Sequence, residues 1–221
     1  MLYVVATPIG NLGDITLRAL EILKDVDLVA AEDTRHSGIL LKHYQINKPF
    51  VSYHEHNEAM RTAQLIERLA AGEKIALITD AGTPGLSDPG ARLIRECIKR
   101  GVDFTIIPGP SSILTALVGS GFSCEKFFFG GFLPNKSGQR ERVLRTAAAR
   151  DETSIYFESP YRLIKTLTAS INTLQDRQVC VARELTKKFE EFRRGTAAEL
   201  LAHYEKRPPK GEIVLIVSAK S

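Results

Sequence analysis

No stretch of this 221-residue sequence approaches the ~20 consecutive apolar residues that a bilayer-spanning helix needs, which argues against a membrane protein. The N-terminus, "MLYVVATPIG", lacks a basic start, a long apolar core and a cleavage site, so it does not read as a signal peptide. Cysteine is scarce. Cys97, Cys124 and Cys180 lie far apart without metal-ligand spacing, and their odd count argues against a disulfide framework. A reducing cytoplasm is the compartment they fit. No internal repeat and no low-complexity tail is visible, and no residue cluster has the spacing of a metal site.

What is present is an ordinary soluble composition, 43% hydrophobic and 25% charged, with enough chain for one large domain or two small ones. The net charge of +4 conceals an asymmetry. Residues 1–125 carry 12 Lys/Arg against 15 Asp/Glu, whereas residues 126–221 carry 18 against 11. A basic second half suits a polyanionic partner, although a solvated basic surface has the same composition.

The first half alternates apolar runs with helix-like segments. "LYVVA", "DLVAA", "PFVSYH", "KIALIT" and "DFTIIP" read as strands. Between them lie helical patterns, with Asn57 expected as one N-cap, and with Asp88 as cap and Pro89 at the first helical position of another. Such alternation predicts βαβ units and a mostly parallel sheet. In the second half "KFFFGGF", "TSIYFE", "QVCVARE", "FEEFRRG" and "EIVLIVS" read as strands and three segments as helices, which predicts a second α/β unit with a mixed sheet. The expected division is residues 1–115 and 116–221.

Three strands of the first half run into loops rich in glycine and proline: "TPIGNLGD", "DAGTPGLSDPG" and "PGPSS". In an open α/β sheet ligands lie outside the carboxyl ends of the strands. The loops hold aspartates but no lysine or arginine, and neither a P-loop nor a G-x-G-x-x-G fingerprint occurs. A neutral or cationic ligand fits them better than a phosphate. Read singly, each is also a plain tight turn.

Together with "AEDTRHSGILLKHY", "SYHEHNE", "GFLPNKSGQR", "YFESPYRL", "ARELTKKFEE" and "GEIVLIV", these blocks make the sequence resemble the tetrapyrrole methylase superfamily, and within it a subgroup that modifies ribosomal RNA. The resemblance implies two α/β domains with S-adenosylmethionine folded between them, a homodimer, and 2′-O-methylation of a cytidine ribose in the decoding region of 16S ribosomal RNA, on naked RNA or the small subunit. It also implies cofactor contacts from Gly82, Thr83 and Leu86, from Ser111 and Ser112, and from Pro8, Phe157 and Ile213 at matching strand ends. Some members continue past the last strand; this sequence ends at "LIVSAKS". Two other readings stand beside this one: a tetrapyrrole C-methyltransferase of the precorrin or uroporphyrinogen type, and a non-catalytic RNA-binding module.

A ribose hydroxyl needs a base or an oxyanion stabiliser to attack a sulfonium methyl group. "AEDTRHS" offers Glu32, Asp33 and Arg35, with Asp33 and Arg35 as the catalytic pair; an N-cap and a surface ion pair leave the same trace. "YHEHNE" offers His54 and His56, placed on one side by strand alternation, for RNA contact or proton handling. Zinc would need a third ligand that is not evident. "LPNKSGQRER" offers Lys136, Arg140 and Arg142 for phosphates. Tyr161 is either a stacking platform or core.

Overall fold

Five short apolar strands in the first 111 residues form a single parallel sheet. The computed structural model describes residues 1–220 and divides into two compact units between Ser111 and Ser112. In the first unit the chain runs β1 (Leu2–Val5), α1 (Leu17–Asp25), β2 (Leu28–Ala31), α2 (Thr34–His43), β3 (Phe50–Ser52), α3 (Glu58–Ala70), β4 (Ile75–Ile78), α4 (Ala91–Arg100) and β5 (Phe104–Ile107). The strand order is β3-β2-β4-β1-β5, with every pair parallel. Strands β1, β2 and β4 are buried nearly throughout, because helices cover both faces. On one face Val5, Ala31 and Ile78 pack with Leu23 of α1 and Leu40 of α2; on the other Leu2, Val4 and Leu77 pack with Leu65, Leu69 and Leu93 of α3 and α4. From β1 the chain crosses over β4 to β2, and after β4 it returns past β1 to β5. The loops that follow β1 and β4 therefore leave the sheet at its topological switch point.

Local capping explains most helix starts. Thr16 accepts the Ala19 N–H at 3.1 Å ahead of α1, and Asp33 accepts the Arg35 N–H at 2.8 Å ahead of α2. Two expected caps differ. Helix α4 begins at Ala91, not Pro89, with Gly90 at the N-cap position and φ 135°. The reason is loop closure: the Pro89 carbonyl accepts the Gly85 N–H at 3.0 Å, and a Cβ on Gly90 would stand 2.9 Å from Leu77 Cδ2. Asn57 occupies its N-cap position without a capping bond. Its amide instead accepts the His54 N–H at 2.9 Å and donates to the Ser52 carbonyl at 3.1 Å, which holds the turn before α3.

The second unit comprises α5 (Ser112–Ser120), β6 (Phe127–Phe132), α6 (Ser137–Ala149), β7 (Thr153–Glu158), α7 (Leu163–Leu174), β8 (Val179–Arg183), β9 (Glu191–Gly195), α8 (Ala197–Lys206) and β10 (Ile213–Val217). Its sheet is mixed, in the order β6-β7-β10-β8-β9, with only β6 and β7 parallel. Alternate residues Ile213, Leu215 and Val217 pack with Leu144, Leu167, Leu200 and Tyr204 from α6, α7 and α8. A capping box between Thr196 and Glu199 starts α8. Strand β9 begins at Glu191, two residues later than the apolar pattern predicts, because Glu184 and Thr186 adopt left-handed backbone and the Glu190 carboxylate accepts the Thr186 N–H at 2.6 Å.

Candidate functional site

The carboxyl edge of the parallel sheet gathers the three glycine loops. Thr7, after β1, and Gly82, after β4, form an isolated bridge: each N–H donates to the other's carbonyl, at 2.9 and 3.0 Å. Gly82 has φ 78°, and a Cβ there would meet only Ile9 at 3.7 Å, so glycine is required by backbone conformation more than by space. Both polar groups of Gly82 are satisfied by Thr7, and the Thr83 carbonyl accepts the Leu86 N–H at 3.3 Å. Thr83 is half-buried and Leu86 is 43% exposed on the same loop. Pro8 is buried beside the bridge. The "PGPSS" loop closes tightly on β1, since a Cβ on Gly109 would stand 3.1 Å from that of Ala6. Ser111 ends the first unit and Ser112 opens α5; both are half-buried.

Carboxylates stand where a phosphate site would carry lysine. Strands β2 and β4 are tied at their ends by a reciprocal pair of bonds. Glu32 Oε2 accepts the Asp80 N–H at 3.4 Å, and Asp80 Oδ1 accepts the Asp33 N–H at 3.2 Å. Burial raises the Glu32 carboxyl above its usual range, and the charge of nearby Asp80 adds to the rise, while the Asp80 N–H and His54 oppose it. Asp33 shows the opposite behaviour. Its carboxylate accepts the Arg35 N–H at 2.8 Å and pairs with the Arg35 guanidinium at 2.8 Å, which holds it far below the usual carboxylate range. Arg35 itself is 90% exposed in its side chain. The structure thus uses Asp33 as a helix cap and ion-pair partner, and Glu32 is the carboxyl of this block whose proton affinity is raised. The sequence placed Glu32 in the right block but carried no sign of its partner, because Asp80 lies 47 residues beyond Asp33 and meets it only through the β2–β4 register.

His54 and His56 lie in the turn after β3, not on the strand. Their rings still meet edge to face, 5.9 Å apart. His54 is fixed by Asn57, whose amide nitrogen lies 3.2 Å from Nε2. Behind them Tyr53 donates to Glu58 Oε1 at 3.1 Å, and Glu58 accepts the Gly90 N–H at 3.3 Å, which anchors the end of the glycine loop. No cluster of three or more His, Cys, Asp or Glu side chains arranged for a metal occurs among the described residues.

In the second unit the basic loop after β6 is held by guanidinium groups. Arg140 is 6% exposed and donates to the Pro134 and Asn135 carbonyls at 3.4 and 3.3 Å. Arg162 donates to the Leu133 carbonyl at 3.2 Å and to the Asn135 side chain, and pairs with the buried Glu158 at 2.7 Å. These two arginines brace three consecutive residues, so Arg140 is a clamp on the loop with little surface left for a phosphate. Lys136 and Arg142 are exposed beside it. Tyr161 is 92% exposed and therefore is not core. Phe157 packs on Phe129 and Phe132, with ring centroids 5.0 and 5.3 Å away, and Ile213 is buried in the core, where only its backbone can serve a ligand.

The chemistry of the first unit's edge fits S-adenosylmethionine. Its glycine loops carry no lysine or arginine to repel a sulfonium, Glu32 and Asp80 stand beside them as counter-charges, and a left-handed glycine loop with an exposed leucine suits the apolar parts. The family profile of Tetrapyrrole (Corrin/Porphyrin) Methylases matches residues 1–201. The chain belongs to this methylase family. Among curated relatives, the "Ribosomal RNA small subunit methyltransferase I" of Thermotoga maritima is 45% identical over 219 residues, covering 99% of this chain and 98% of the relative. The protein of that name from Synechocystis sp. is 48% identical, covering 99% of this chain and 78% of the relative. Among solved structures, a diphthine synthase matches with a TM-score of 0.76 at 17% identity over 100% of this chain and 90% of the other. A cobalt precorrin-4 methyltransferase matches with a TM-score of 0.73 at 18% identity over 98% and 94%. At such identities the solved structures speak for the methylase fold alone. No helix among the described residues is long and apolar enough to cross a membrane.

Proposed function

We propose that the protein transfers a methyl group from S-adenosylmethionine to the 2′-hydroxyl of a cytidine ribose in the decoding region of 16S ribosomal RNA, acting as a homodimer in the cytoplasm. The observation that carries this reading is the 45% identity to a ribosomal RNA methyltransferase across 98% of that relative's length. Two tetrapyrrole methyltransferases, by contrast, share the fold at identities of 18% and 20%. Bound at the carboxyl edge of the parallel sheet, the cofactor supplies an electrophilic methyl group on a positively charged sulfur.

The chain's own residues have three tasks. Thr83, Leu86, Ser111 and the Thr7–Gly82 bridge, supported by Pro8, would hold the donor and present its methyl group to the ribose oxygen. Glu32 would accept the hydroxyl proton as the ribose oxygen takes the methyl group the cofactor would supply, the C–S electron pair staying on the donor sulfur. Its raised proton affinity suits it to this role, and the depressed affinity of Asp33 does not. His54 and His56 flank the ribose, while Lys136 and Arg142 contact phosphates and Tyr161 stacks on an unpaired base. Arg140 acts through the loop it braces, and Arg35 keeps Asp33 in its capping position.

Mass-spectrometric mapping of 16S RNA from cells lacking the protein tests this reading. The expected result is one missing 2′-O-methylcytidine, restored by the wild-type chain and S-adenosylmethionine in vitro. An unchanged modification map sinks it. A calorimetric titration that shows no cofactor binding would favour a non-catalytic RNA-binding module instead.

A further inference from the structure

Beside β8, β9 and α8 the second unit holds a pocket of ≈ 400 Å³ that none of the roles above uses. Its volume falls within the roughly 300–1,000 Å³ of small-ligand sites. Its floor is Glu191, which accepts Arg183 Nε at 2.5 Å, Arg193 Nε at 2.9 Å and the Tyr204 hydroxyl at 3.4 Å, so its charge is compensated. His203 lines the wall with Nε2 4.0 Å from Glu191, beyond hydrogen-bond reach. Burial and the surrounding arginines lower its pKa, which leaves a neutral imidazole with one donor and one acceptor for a ligand.

The rim differs from the floor. Arg207 and Lys210 are exposed, and neither makes an ion pair among the described residues. Phe189 lines the pocket yet is 65% exposed, with the Lys188 ammonium 5.7 Å from its ring centroid. The loop that carries Phe189 holds left-handed backbone and is tied by ion pairs. Glu184 and Thr186 are non-glycine residues at φ 51° and 62°, and Lys187 bridges Glu184 and Glu212 at 3.0 Å each. Left-handed backbone persists at such residues only where the surroundings enforce it, and it clusters at ligand sites. Holding an aromatic ring in solvent on such a loop contributes nothing to the core.

We propose that this pocket binds one unpaired nucleotide of an RNA strand, with the base stacked on Phe189, its edge read by His203, and the adjoining phosphates held by Arg207 and Lys210. The site rests on the RNA substrate proposed above and adds to it a second place of contact. Aromatic stacking accepts any base, and Arg and Lys neutralise single-stranded phosphates, so His203 is the one of these contacts that bears on base identity.

Fluorescence anisotropy of the full chain with a short unstructured oligoribonucleotide tests this, over a series of salt concentrations. Phe189→Ala is expected to weaken binding by roughly 5- to 100-fold, as loss of one stacked base does, and Phe189→Tyr to restore it. Arg207→Ala and Lys210→Ala are each expected to flatten the logarithmic salt slope by about 0.7. S-adenosylmethionine affinity should be unchanged in all of them. Binding within twofold of wild type for Phe189→Ala and for the Arg207→Ala/Lys210→Ala double variant, with an unaltered slope, overturns the site. So does a wild-type chain that binds no oligoribonucleotide. If Phe189→Ala instead splits a dimer in light scattering and leaves RNA binding intact, the face belongs to a second copy and the proposal fails. Normal rRNA methylation with normal binding by the variants rejects only this pocket; expected binding changes with an unaltered 16S modification map reject only the proposed reaction.

Discussion

Around the ends of β1, β2 and β4, the N-terminal unit builds its functional edge from backbone and carboxylates: the Thr7–Gly82 bridge, the closed loop from Gly85 to Gly90, and the Glu32–Asp80 pair. Around β6 and β7, the C-terminal unit builds its loop from guanidinium groups that bind carbonyls, through Arg140 and Arg162. Both edges are tied by hydrogen bonds, by opposite means. Left-handed glycines let a chain turn sharply and lie close to a ligand, whereas a guanidinium spans a loop from one side and leaves its outer face free. The contrast suits the chemistry proposed for each. A sulfonium needs a cation-free cradle, and RNA needs exposed cations on a loop that does not collapse.

Four substitutions sharpen or break this contrast. The largest effect is expected at the clamp. Arg162→Met leaves the buried Glu158 without its guanidinium and should cost about 3 kcal/mol in urea unfolding, because an unpaired buried charge is expensive. A loss that small surface pairs could explain would mean the loop is held otherwise. Next, Gly82→Ala forces a side chain into left-handed backbone and should cost about 1–2 kcal/mol in the same measurement. Calorimetry should also show weaker S-adenosylmethionine binding, and unchanged affinity would move the cofactor away from this loop. Lys136→Ala should leave stability and the rate at saturating RNA near wild type while lowering the salt slope of RNA binding by about 0.7–0.9. The smallest effect is expected for Arg35→Ala. Its side chain is 90% exposed and its ion pair with Asp33 lies at the surface, so single-turnover methyl transfer should stay within a few-fold of wild type; a drop on the scale expected for a proton acceptor would return the catalytic role to the Asp33–Arg35 pair.

The parallel and mixed sheets were legible because their strands read as clean apolar runs with turn residues between them. The glycine loops were legible as a ligand edge because three of them end strands of one sheet. Helix starts read less well. Asp88 and Pro89 have the composition of a cap, yet tertiary closure of the loop onto Leu77 displaces α4 to Ala91. Asn57 has the chemistry of a cap, yet its amide satisfies the His54 turn. The roles of charged residues read least well, since they depend on contacts between distant segments. Arg140 and Lys136 sit in one basic run and look alike in sequence, but α6 buries the first while the second stands exposed just ahead of that helix. Glu32 and Asp33 are adjacent acids whose proton affinities move in opposite directions, one through burial and the other through Arg35. The apolar pattern places Phe189 on a strand, whereas β9 begins at Glu191 after the backbone turns at Glu184 and Thr186.

The proposal that chemistry resides at the acidic edge of the first unit is tested most directly by the pH dependence of single-turnover methyl transfer, with saturating RNA and cofactor, for wild type and Glu32→Gln. The Glu32 carboxyl is raised above its ordinary 4.5, and only its ionised form accepts a proton. The wild-type rate should therefore rise with pH through a midpoint above 4.5 and then level off. Glu32→Gln should lose that limb and run on the order of 10²-fold slower on the plateau, with RNA and cofactor affinity retained. A Glu32→Gln variant with the wild-type rate and the wild-type pH profile would contradict the assignment.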